Sequence, residues 1–134
     1  QKYTMELIQT NCKPRFQHEY ALSILKKEGY KIALASNSIR KTIELMITKA
    51  SIKQYLEFYI SAEDCVLGKP DPEIYVESIK KLGLKPEECL IIEDNENGKK
   101  AALASGAHLM EVEGVEDVNY SNIVKEIKLI EGRD

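Results

Sequence analysis

Apolar residues recur at helical spacing or in short unbroken runs along most of the chain, and the two patterns alternate. From Phe16 to Glu28, Tyr20, Ala21, Ile24 and Leu25 fall on one face and Gly29 stands where a C-cap belongs, which predicts an amphipathic helix. Residues 31–35, KIALA, predict a short strand, interrupted by the polar triplet Ser36, Asn37 and Ser38. A second helix follows, with Ser38 as N-cap and Ile39, Ile43, Met46, Ile47 and Ala50 inward. FYISA predicts a strand that leads into the loop EDCVLGKPDP, after which Asp71 and Pro72 open a helix that buries Tyr75, Ile79 and Leu82 and ends at Gly83. CLII is the next strand. A helix from about Glu96 to Ser105 closes at Gly106, AHLMEV is a further strand, and a last helix runs over roughly 121–130.

Strands alternating with helices imply right-handed βαβ units and a Rossmann-like three-layer α/β domain, a parallel sheet covered on both faces. The opening QKYTMELIQ is in helical periodicity and is expected to lie outside this pattern. With 134 residues, 43% of them hydrophobic, the chain suffices for one such domain. A net charge of -3 without a basic tract gives no electrostatic reason to bind nucleic acid or an anionic membrane, and no run approaches the roughly 20 apolar residues of a membrane span. Three scattered cysteines, Cys12, Cys65 and Cys89, argue against a disulfide framework and point to the cytoplasm. His18 and His108 have no partner at metal-ligand spacing.

In parallel sheets, ligands bind beyond the carboxyl ends of the strands. There the first predicted strand delivers Ser36 and Asn37, a later loop delivers Lys69, and CLII delivers the adjacent acids Glu93 and Asp94. Taken singly, Ser36 ends a strand, Lys69 decorates a turn and the acids favour a helix N-terminus. Together they match phosphoryl transfer, whose charged oxygens need hydroxyl and N–H donors, a lysine counter-charge and a magnesium ion held by hard carboxylates. Two neighbouring acids are tolerable when a cation stands against them. Gly98, in a helix's first turn, suggests close backbone approach to a neighbouring strand.

The segments LASNS, GKPDPEIY and LIIEDNENGKKAALASGA resemble the second, third and fourth motifs of the haloacid dehalogenase superfamily, and the Glu-Asp pair resembles its β-phosphoglucomutase-like branch. The resemblance implies a magnesium-dependent phosphatase or phosphomutase acting on a small phosphorylated metabolite such as a sugar phosphate. It assigns phosphoryl binding to Ser36, Asn37 and Lys69, catalysis to Lys69 and Ser36, and magnesium to Asp94 and Glu93. Many relatives carry serine where this chain has Asn95. The family's nucleophile is an aspartate in a D-x-D motif on its central first strand, and no D-x-D occurs here. That strand is therefore expected to be absent, residues 1–13 to be the tail of a helical cap, residues 14–134 to be the C-terminal part of the core domain, and the chain alone to be inactive. A non-catalytic phosphate-binding module is the alternative. A receiver-type phospho-acceptor fits poorly, since receivers place the acids first and the lysine last.

Overall fold

A computed structural model describes residues 5–8 and 16–132. Five parallel strands form one sheet: β1 (Met5–Ile8), β2 (Ile32–Ala35), β3 (Phe58–Ile60), β4 (Cys89–Glu93) and β5 (His108–Glu111), in the spatial order β3-β2-β1-β4-β5. Among the described residues, five α-helices connect and cover it: α1 (Phe16–Lys27), α2 (Arg40–Lys49), α3 (Glu73–Leu82), α4 (Glu96–Ser105) and α5 (Tyr120–Ile130).

The pleat divides the core in two. Ile32, Leu34, Leu90, Ile92 and Met110 turn to one face, where they pack under α1, α2 and α5 through Leu22, Leu25, Ile43, Ile47, Ile123 and Ile127. Ala33, Ala35, Cys89 and Ile91 turn to the other, under Ile74, Tyr75 and Ile79 of α3 and Ala101 and Ala102 of α4. Because both faces are covered, β2 and β4 are apolar without alternation. Fully burying a Leu or Ile side chain stabilises by about 1.5–3 kcal/mol, so these two layers hold the strand ends in place. Helices α3 and α4 stop at Gly83 and Gly106, whose φ of 70° and 88° suit glycine.

The largest departure from expectation is at the N-terminus. Met5–Ile8 is not a helix tail but the central strand, pairing with β2 on one side and β4 on the other. The slot expected to be empty is therefore filled; the remainder of the 1–13 segment lies outside the described residues. Four residues are too few for periodicity to separate helix from strand. The deciding force is non-local, since β2 and β4 would otherwise each bury an edge of unpaired N–H and C=O groups.

Two smaller corrections concern helix ends and faces. Helix α2 starts at Arg40, and Ile39 at its cap position offers no side-chain hydrogen bond. The Ser38 amide donates instead to Ser36 Oγ at 3.1 Å, and Glu63 Oε1 accepts from the Arg40 amide at 2.6 Å, so an acid from the β3–α3 connection does the capping. Tyr20, expected inside, is exposed and packs edge-on against Tyr120 at 6.5 Å, while Leu22 takes the buried position.

Candidate active site

All five strands are parallel, so their carboxyl ends share one edge. Ile8 is level with Leu34 of β2 and with Ile92 of β4, which puts Ser36 and Asp94 at the same height on either side of β1, their backbones about 10 Å apart. Ser36 is buried, its amide donating to the Ile60 carbonyl at 3.0 Å and its Oγ accepting from Ser38. Asn37 is exposed, and its Oδ1 faces Gly68, the residue before Lys69.

Glu93 is the last residue of β4 and shares the side of Cys89 and Ile91, so its carboxylate enters the layer between α3 and α4. It is wholly buried, 0% exposed, and each oxygen has two donors. Oε2 accepts from Lys69 Nζ at 3.0 Å and from the Tyr75 hydroxyl at 2.5 Å; Oε1 accepts from the amides of Asp94 and Asn95 at 3.2 and 3.3 Å. The Lys69 side chain is itself only 4% exposed. Burial pushes the Lys69 ammonium below its ordinary pKa, against which Glu93 and, to a smaller extent, Asp94 pull it back up. Burial, then the Glu93 charge, drives the Tyr75 hydroxyl far above its usual range, so it stays a donor. Breaking such a buried pair by removing one partner is costly, because the remaining charge has no water to turn to.

Space for this carboxylate comes from α4. A Cβ on Gly98 would stand 2.0 Å from Glu93 Cδ and 2.1 Å from Oε2. The close approach expected at this glycine is real, but its object is the Glu93 side chain. Asn95 caps α4 through Oδ1, accepting from the amides of Asn97 and Gly98, so asparagine performs the capping that serine performs elsewhere. Glu73 accepts from the amides of Val66 and Leu67, fixing the loop just before Lys69, and these two bonds hold its carboxyl below the ordinary value.

Asp94 differs from its neighbour. Its Oδ1 is a buried oxygen with no hydrogen-bond partner among the described residues. An orphaned hard oxygen beside a lysine–carboxylate pair fits a divalent cation, and magnesium characteristically takes one or two carboxylates plus substrate phosphate and water. No cluster of three metal-binding side chains occurs among the described residues, and such a site does not require one. Glu93, expected with Asp94 as a magnesium ligand, has both its oxygens engaged by the four donors named above. Tyr75 was expected as packing alone; its signal was a tyrosine in a buried position, whose hydroxyl needs a partner. His108 Nε2 stands 3.0 Å from the Glu87 carbonyl, and Cys89 is buried with its Sγ on the Lys85 carbonyl, neither at the site.

A sequence model of haloacid dehalogenase-like hydrolases matches residues 1–112. A bifunctional riboflavin kinase/FMN phosphatase of Arabidopsis thaliana is 37% identical over 89 residues, 66% of this chain and 24% of that protein. A phosphorylated carbohydrates phosphatase of Thermotoga maritima is 29% identical over 86 residues, 64% of this chain and 40% of that protein. The chain thus spans well under two thirds of the length of these relatives. Among solved structures, a β-phosphoglucomutase of Clostridium difficile superimposes with a TM-score of 0.76 at 24% identity, covering 92% of this chain and 59% of that one. A hydrolase of the same superfamily from Ehrlichia chaffeensis gives 0.70 at 18% identity, covering 91% and 63%. Strand order, motif positions and the family match agree: the chain belongs to the haloacid dehalogenase-like hydrolases.

Proposed function

We propose that the protein is a magnesium-dependent phosphoryl-transfer enzyme for a small phosphorylated metabolite, a sugar phosphate, using an aspartyl nucleophile contributed from outside this chain. The observation that carries this reading is the buried Lys69–Glu93 pair beside the orphaned Asp94 oxygen, at the sheet edge that also carries Ser36. Ser36 and Asn37 would donate to phosphoryl oxygens. Lys69 would supply positive charge to the transferring group, and Glu93 would hold that lysine in place. Asp94 would bind magnesium through Oδ1; the ion, when bound, neutralises charge on the phosphoryl oxygens. With the nucleophile absent, turnover falls by up to about a million-fold, since members of a cooperating catalytic set do not act independently.

One observation favours a second reading. The central strand is already filled by Met5–Ile8, and the sequence continues as Gln9-Thr10-Asn11, without a carboxylate. The same site would then bind a phosphorylated ligand without cleaving it. The experiment is to assay this chain, and the parent polypeptide extended upstream through any D-x-D, with magnesium and an aryl phosphate. Turnover by the extended form alone supports the enzyme; turnover by neither supports the binding module. Comparable turnover by the 134-residue chain would overturn the external nucleophile.

A further inference from the structure

Strand β5 closes one side of the sheet, and among the described residues it has a neighbouring strand, β4, on one flank only. The Val112 amide donates to the Glu93 carbonyl at 3.2 Å, so by the alternation of a parallel ladder His108, Met110 and Val112 aim their backbone groups at β4. Leu109 and Glu111 aim theirs outward. The next outward amide, that of Glu113, is taken by Asp117 Oδ2 at 3.1 Å. Beside this edge runs a groove of about 290 Å³, walled by residues 110–113 and by Asn122, Lys125, Glu126 and Leu129, a single stripe of α5. Leu129 is 67% exposed there, although the opposite stripe of the same helix, Ile123 and Ile127, is buried.

A strand edge bordered by a helix face accommodates an extended segment, whose main chain pairs with the edge while alternate side chains meet the helix. The charges select which segment. Glu111, Glu113, Asp117 and Glu126 line the groove with Lys125, and Lys99 stands 3.5 Å from Glu111, so acids outnumber bases. A second copy pairing through its own β5 would set these acids against each other, and like charges placed opposite destabilise a sheet. Lysine or arginine side chains would meet them with opposite charge.

We propose that the outer edge of β5 and the groove along α5 form a docking surface for a basic, extended segment of a partner protein, which adds to the five-stranded sheet through the main-chain groups of Leu109 and Glu111. Basic side chains of the segment face Glu113 and Glu126, and an apolar one covers Leu129. The surface uses none of the side chains assigned to phosphoryl transfer.

The test is titration of the chain with a short end-blocked peptide of alternating lysine and valine, and with its glutamate–valine counterpart, followed by calorimetry and amide hydrogen exchange. The lysine peptide should bind at least about tenfold more tightly than the glutamate peptide, and at saturation should slow exchange of the Leu109 and Glu111 amides by about tenfold or more. Glu111→Pro removes an outward N–H and leaves the ladder to β4 intact, whereas Glu111→Gln removes the same charge and keeps the amide. The proline variant should bind the lysine peptide about fivefold more weakly than the glutamine variant, the scale of one net hydrogen bond. Equal affinities in these two variants would show that charge alone holds the peptide and overturn strand addition. Failure of either peptide to bind, or equal binding of both, would overturn the basic partner. Should Glu111→Pro fail to fold, exchange in the unsubstituted chain decides: unchanged rates at Leu109 and Glu111 under saturating lysine peptide overturn the proposal. Protection of those two amides that grows with protein concentration, without peptide, would assign the edge to a second copy and overturn it as well.

Discussion

Gly98→Ala separates two opposing effects of known sign. Alanine is favoured over glycine by up to about 1 kcal/mol in a helix interior and by less in the first turn, where Gly98 lies, so on propensity alone the variant should be slightly more stable. The new methyl, however, would fall 2.0 Å from Glu93 Cδ. A flexible, solvated glutamate would move aside at little cost. Glu93 is instead 0% exposed, with Lys69, Tyr75 and two backbone amides on its oxygens. Overpacking costs about 1–3 kcal/mol, and each charge-assisted bond lost as the carboxylate shifts adds about 1.5–3 kcal/mol. After the propensity gain, a net destabilisation of roughly 3 kcal/mol is expected, equivalent to a melting temperature lower by about 10 °C for a domain of this size. Thermal unfolding followed by circular dichroism, with urea unfolding to check that the m-value is unchanged, measures it. A variant as stable as wild type, or more so, would refute the placement of Glu93 against α4.

Two further outcomes are expected. Glu73 has a carboxyl pKa depressed below 4.5 by the Val66 and Leu67 amides, so its hold on the loop before Lys69 is complete above that pH and is lost as pH falls through the depressed value. The Val66 and Leu67 amide proton shifts should move together with that midpoint, and should not do so in Glu73→Gln. The amides of Leu7 and Ile8, in a strand flanked on both sides, should exchange with solvent as slowly as those of β2 and β4; exchange as fast as a frayed terminus would contradict the central placement of β1.

The sequence carried the sheet, four of its strands and all five helices, because each announces itself locally: KIALA and CLII by continuous apolar runs, α3 and α4 by their spacing and by the glycines that stop them. What it concealed depends on partners distant in the chain. Met5–Ile8 becomes a strand because β2 and β4 border it, and nothing within four residues records that. Ile39 and Tyr20 fit the apolar stripes of their helices yet lie exposed, since Glu63 and Tyr120 settle those positions. At the site, Ser36, Lys69 and Asp94 were readable from strand ends and spacing. That Glu93 meets Lys69 and Tyr75, 24 and 18 residues away, was not, and it distinguishes the surroundings of two adjacent acids that look alike in the sequence.

The central claim, that this edge binds a phosphoryl group together with magnesium, is tested most directly by titrating inorganic phosphate calorimetrically with and without the ion. If both occupy one site, each must raise the affinity for the other by the same factor. Magnesium should therefore tighten phosphate binding in the wild type and do nothing for it in Asp94→Asn, whose amide is a poorer ligand for a hard cation, while weaker magnesium-free binding through Lys69 persists in both. A phosphate affinity indifferent to magnesium, and equal in wild type and Asp94→Asn, would contradict the account.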